Sequence, residues 1–295
     1  MRTLLFFNKT VVVFMQIIQE KHPKKISVSI LGCGWLGLSL AESLIEKDCE
    51  VWGSTTTIDK IELFKQKKII PEIINLNPEW PKDVSIDYLR TEVLIICFPP
   101  KLRSNGELFF MNQIRSLAKN LNQFSADKVI FTSSTSIYPS LNKEMSESEA
   151  DEKHIFFQAE SILRVKANEL GKKINILRLS GLMGHGRIPC KYFSGKKGLK
   201  NGDTPVNYIH RDDVIQIICM ILEGTIWNET LNITAPFHPS RSEVMAKCSA
   251  ETIYEKPEYI KSDEVVPFKV ISGAKFQRLM DYTFQYPNPL DFPFE

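Results

Sequence analysis

The 295-residue chain is 43% hydrophobic and 24% charged, ordinary globular values that exclude a wholly disordered or fibrous protein. A formal charge of +2 is too near neutral to recruit nucleic acid or an acidic membrane by its field, so any anion must be gripped by a local site. The length suits one large α/β unit, with or without a smaller lobe, whose core needs no metal or disulfide.

Residues 1–25 read as an extension outside the fold. Their apolar runs, 4–7 and 11–18, are interrupted by Asn8, Lys9 and Thr10 and are too short to span a bilayer. No small-residue cleavage site precedes Lys24 and Lys25, and Met15 offers an alternative start. From there, short apolar runs alternate with helical periods, the signature of a parallel sheet with crossover helices. Residues 26–31 predict a first strand; Gly37, Ala41 and Leu44 then fall on one helical face. Strands follow at 50–53, 73–76 and 93–98, the last stopped by Pro99 and Pro100. Phe110, Ile114, Leu117 and Leu121 form a helix stripe before a fifth strand at 128–132. Phe156, Ala159, Leu163, Ala167 and Leu170 form the next stripe, closed by Gly171, and 174–179 is a sixth strand. Beyond Gly181 the alternation loosens. Asp213 is expected to open a helix over 214–222, and Ser240 with Glu243 forms a capping box for another. The expected organisation is a doubly wound Rossmann domain over 26–180, and a smaller, interleaved substrate lobe over 181–295 closing on the sheet's carboxyl edge.

Gly32-Cys33-Gly34-Trp35-Leu36-Gly37 falls between the first strand and its helix. There the first glycine allows the tight turn, the second lets backbone reach a pyrophosphate, and the third permits close packing. The amides of Gly32, Gly34, Trp35, Leu36 and Gly37 are the expected diphosphate contacts. After the second strand the acidic residue that would take the ribose hydroxyls of NAD is replaced by Ser54, Thr55 and Thr56. Hydroxyls there, with Lys60 nearby, favour NADP while leaving NAD possible. The plain alternative is a Ser/Thr cap for the next helix. Phe98 and Pro99 are expected beside the nicotinamide, or simply to end their strand. Cys33, Cys49, Cys97, Cys190, Cys219 and Cys248 are scattered singly, with no zinc spacing. They read as small buried hydrophobes of a reducing, cytoplasmic protein with no metal site.

Several separated segments resemble the extended short-chain dehydrogenase/reductase superfamily, the NAD-dependent epimerase/dehydratase group, and especially its atypical YeeZ-like branch. They are the glycine turn, residues 132–138 (Thr-Ser-Ser-Thr-Ser-Ile-Tyr), 177–181 with 184–187, 207–213, and Tyr286-Pro287. The resemblance implies that Ser134 hydrogen-bonds the reacting oxygen of a substrate, with Tyr138 a packing residue. It also places Arg187, Asn207 and His210 at the substrate region. Arg187 would pair with a carboxylate or phosphate, or be a surface arginine; His210 would be catalytic, or a satisfied structural histidine. Active relatives carry Tyr-x-x-x-Lys on the helix after the fifth strand, whereas the segment 151–170 has no tyrosine. With Glu160 on the family's downstream glutamate, Glu152 and Phe156 take the two positions. Tyr192 to Lys196 is the only such spacing in the chain and is expected by chance.

The expected function is an NAD(P)-dependent oxidoreductase acting on an unknown small molecule. Ser134 would polarise a carbonyl, and His210, Tyr192 or a water would give the proton. The alternatives are a catalytically silent NADP(H) sensor, or an epimerase or dehydratase. No nucleic acid or membrane partner is expected, and the chain is expected to be a monomer or homodimer.

Overall fold

The structure is a computed structural model that describes residues 25–261 and 264–294; nearly all of the expected N-terminal extension lies outside the described residues. Eleven strands are formed among these: β1 (Ser27–Leu31), β2 (Glu50–Thr55), β3 (Ile70–Ile73), β4 (Val93–Ile96), β5 (Lys128–Ser134), β6 (Lys143–Met145), β7 (Lys173–Leu179), β8 (Gly181–Met183), β9 (Tyr208–His210), β10 (Thr230–Ile233) and β11 (Lys269–Ile271). Seven make one sheet in the order β10-β7-β5-β4-β1-β2-β3, with every neighbouring pair parallel. Strand order reverses between β1 and β4, the switch point where such sheets hold ligands. The seventh strand, β10, is contributed by the C-terminal third of the chain. β11 pairs with β6, and β8 with β9, as two small separate ladders.

The helices are α1 (Trp35–Glu46), α2 (Ile61–Gln66), α3 (Ile86–Leu89), α4 (Leu102–Asn120), α5 (Ile155–Glu169), α6 (Arg211–Glu223), α7 (Arg241–Glu251) and α8 (Ala274–Leu279). Strands buried on both faces carry the near-continuous apolar runs that a helix-covered parallel sheet requires. One core cluster packs α1 and α6 on one face of the sheet, the other α4 and α5 on the opposite face. No described helix is long and apolar enough to cross a membrane.

The expected stripe over α5 and the capping box of Ser240 with Glu243 are both formed, and Gly171 takes the left-handed conformation just past α5. Three expectations are corrected. The third strand lies at Ile70–Ile73, because Pro71, an edge residue here, does not break an edge strand. α6 is capped by His210, whose side chain accepts from the Asp212 amide, and starts three residues earlier than expected. Asp213 instead is buried and accepts from Tyr282 Oη (2.7 Å), Gln285 N (2.7 Å) and Tyr286 N (3.1 Å), tying the C-terminal segment down. Finally, Cys190 and Cys248 are joined in a disulfide, with Cα atoms 5.9 Å apart; a separation of 58 residues leaves no trace in local spacing. Cys33 and Cys219 are free and buried.

Candidate functional site

The glycine turn joins β1 to α1 at the switch point. Gly32 has φ +107, and a Cβ there would stand 2.6 Å from Phe98 N, so only glycine lets the turn approach the loop after β4. A Cβ on Gly37 would meet Gly32 O at 2.4 Å. Around Gly34, by contrast, space is open for 4 Å. α1 has no side-chain cap and no acidic residue in its first turn. Its leading amides therefore face a solvent-open cradle, the arrangement that grips a diphosphate. A dinucleotide fits these residues: turn, uncapped helix and open second glycine all coincide.

Two clefts flank this turn and share Phe98 and Pro99. The first, about 420 Å³, is lined by Ser54, Thr55, Thr56 and Lys60 on one side and by Asn75, Asn77, Lys101 and Gln113 on the other. Among the described residues no carboxylate lines it. Ser54 has a different part from the one its position suggests. It is buried, and its Oγ accepts from Gly32 N at 2.8 Å, so it shapes the turn. Thr55 Oγ1 is engaged by Thr57, leaving Thr56 and Lys60 exposed at the mouth.

The second cleft, about 660 Å³, runs from Gly34 past Ser134 to Arg187, Asn207 and Arg241. Of the hydroxyls ending β5, Thr132 donates to Ile96 O, Ser133 to Glu160, and Thr135 to Leu179 O. Ser134 differs, because its Oγ accepts from Ser136 N at 3.1 Å and its proton stays available to a ligand. Below it lies a buried polar cluster. Arg178 holds both oxygens of Glu160 (2.7–3.1 Å) and donates to Tyr138 Oη (2.7 Å), which reaches Asn232 at 2.6 Å. Tyr138 is thus a packing and bonding residue of the loop.

No family model matches the chain. Protein YeeZ of Escherichia coli K12 is 31% identical over 275 residues, covering 91% of this chain and 99% of that protein. The chain belongs to the YeeZ family. YeeZ of Escherichia coli O157:H7 matches to the same extent. Among solved structures, MoeE5 in complex with UDP-glucose and NAD superposes with TM-score 0.70 at 15% identity, over 90% of this chain and 96% of that one. UDP-glucuronic acid 4-epimerase from Bacillus cereus in complex with NAD gives TM-score 0.70 at 15% identity, over 91% and 95%. These likenesses, at 15% identity, show a shared fold.

Where this YeeZ-family chain departs from Tyr-x-x-x-Lys, the structure puts the ring of Phe156 on the cleft wall and leaves Glu152 exposed ahead of α5. Tyr192 is 56% exposed and lies off the cleft, so it does not replace the missing tyrosine. Nor does His210. It is 0% exposed and absent from the cleft lining; its Nδ1 caps α6, and its Nε2 abuts Gly184, where a Cβ would stand 2.1 Å away. Burial pushes its pKa down to about 4, as befits a structural histidine. Asn207 faces the cleft, yet its carboxamide is engaged by the backbone of β11, donating to Lys269 O (2.9 Å) and accepting from Ile271 N (2.7 Å).

Arg187 lines the cleft with its guanidinium stacked on Trp35, 3.9 Å from the ring centroid. Arg211 covers the same ring at 4.9 Å, and Trp35 Nε1 donates to His185 O at 3.1 Å. His185, His210 and Asp212 have metal-ligand spacing. However, His185 Nε2 is already bound to both Asp212 oxygens (2.8 and 2.9 Å), and His210 Nδ1 to the Asp212 amide. Two features had no sequence signal: the cations Arg241 and Lys269 on the cleft wall. Arg241 sits inside the Ser240–Glu243 capping box, which signals a helix start and not a cleft cation, and Lys269 comes from a segment without a local motif.

Proposed function

We propose that the chain is an NAD(P)-dependent oxidoreductase acting on a small molecule, with NADP preferred. The observation that carries this reading is the uncapped N-terminus of α1, set behind an open Gly34 at the switch point. Both MoeE5 and the Bacillus cereus epimerase are described with NAD, which supports a nicotinamide dinucleotide here. The preference for NADP rests on Thr56 and Lys60, with no carboxylate among the described residues of that cleft to repel a ribose phosphate. A bound nicotinamide would supply hydride chemistry. Ser134 would hold the substrate oxygen with its free hydroxyl proton, while Phe98, Pro99 and Phe156 exclude water. Arg187 and Arg241 suit an acidic group on the substrate. Epimerisation is less well supported, because it leans on the absent tyrosine.

Fluorescence titration of the purified chain with NADPH and NADH tests the reading. Tighter binding of NADPH is expected; no binding of either coenzyme, oxidised or reduced, overturns it. A redox-state sensor is the second reading, favoured by Phe156 standing where relatives carry lysine. Tight binding without turnover over a panel of aldehydes, ketones and quinones would select it.

A further inference from the structure

We propose that Lys269, delivered from the far C-terminal part of the chain, is the proton donor of this cleft. The inference rests on the oxidoreductase reading above. Lys269 Nζ donates to the carbonyl oxygens of Thr135, at 3.0 Å, and of Tyr138, both in the loop that begins at Ser134. An ammonium carries three donors, so one remains for a ligand, and Lys269 lines the cleft together with Ser134. Independent contacts put it there. β11 pairs with β6, Asn207 clamps the backbone on both sides of Val270, and Asn142 exchanges hydrogen bonds with Phe268. Among the described residues no carboxylate lines the cleft, so the ammonium faces a ligand without a competing counter-ion from them.

The remaining proton-bearing groups on the wall are less suited. Arg187 and Arg241 do not release protons. Burial pushes the Cys97 thiol up to about 12, and its Sγ donates to Gly32 O. Tyr208 is held above its ordinary range by burial, whereas burial lowers Lys269, which moves it toward proton release. In the reductive direction a bound dihydronicotinamide would supply a hydride to the carbonyl carbon, and the carbon–oxygen π pair would move to oxygen. That oxygen, held by the Ser134 hydroxyl, takes a proton from Lys269 Nζ. The neutral amine left behind regains its proton from bulk water.

Two measurements on the full chain test this. The first needs no substrate: brief treatment with pyridoxal phosphate, borohydride reduction and peptide mass mapping. Lys269 should be labelled at least about ten-fold faster than the exposed Lys119, and loss of that preference in the cofactor-bound protein would place it at the cofactor's edge. Equal or slower labelling in free protein overturns the proposal even where NADPH still binds, so its failure is distinct from failure of the oxidoreductase reading. The second uses the carbonyl compound turned over fastest in the panel. Lys269→Met should lose about 100-fold or more in kcat, with KM and the NADPH dissociation constant within about three-fold of the parent. Lys269→Arg keeps the tethers to the loop and guards against misfolding; it should bind coenzyme normally and remain slow. A kcat for Lys269→Arg within about five-fold of the parent, or a collapse confined to Tyr208→Phe, overturns the assignment.

Discussion

Replacing Glu160 with Ala should be among the most damaging single changes to this chain. Glu160 and Arg178 are each 4% exposed, and three hydrogen bonds of 2.7–3.1 Å join them across α5 and β7. Removing one partner of a buried ion pair costs about 3–5 kcal/mol, because the other charge stays buried without compensation. Arg178 keeps Tyr138 Oη at 2.7 Å and Glu147 O at 2.8 Å, which favours the lower end of that range. At roughly 2–4 °C per kcal/mol, the melting temperature should fall by about 6–12 °C. Urea denaturation of E160A, of R178M and of the double variant E160L/R178M gives the coupling. The double variant should lose less than E160A alone, since an apolar pair carries no stranded charge. A loss below about 1 kcal/mol for E160A would refute the reasoning. Because Ser133 also donates to Glu160, E160A should weaken turnover through its neighbour Ser134 as well.

G34A should leave thermal stability nearly unchanged, since its Cβ enters open space, yet weaken NADPH binding about ten-fold or more in a fluorescence titration. K60A should erode the NADPH preference by about ten-fold while leaving the NADH dissociation constant alone. His210 binds its proton more weakly folded than unfolded, with its pKa moved from 6.5 to about 4. The unfolded chain therefore takes up that proton first, and stability falls as pH drops from about 6.5 to about 4, by up to about 3 kcal/mol. His210→Asn, which can still cap α6, should flatten that part of the profile in urea titrations at several pH values. Reduction of the Cys190–Cys248 disulfide, which closes a 58-residue separation, should cost about 2–4 kcal/mol. Dithiothreitol should leave the denaturation midpoint of the C190A/C248A variant unmoved.

The glycine turn and its helix were legible because their signals are local. A glycine turn between a strand and an apolar helix stripe specifies backbone shape within six residues, and the capping box at Ser240 does so within four. The substrate half was not, because its chemistry depends on partners distant in sequence. Ser54 reads as a ribose contact until Gly32 N is seen to occupy its oxygen. His210 reads as a catalytic candidate and Asn207 as a substrate contact until their ring and amide are found engaged by the Asp212 amide and by β11. Lys269 has no neighbouring motif, and its meaning comes only from carbonyls more than 130 positions earlier. The disulfide was missed for the same reason.

The parallel pairing of β11 with β6 spans a gap of 126 positions between Lys143 and Lys269. Closing so long a loop is slow in chain-entropy terms, and it must follow the nearer β–α–β contacts. During synthesis, a ribosome-tethered chain that has completed β1 to β5 already owns its glycine turn but not the Lys269 ammonium beside Ser134. The glycine turn and the completed second cleft thus arrive at different moments in the life of each molecule, and the later event requires the whole polypeptide to have folded.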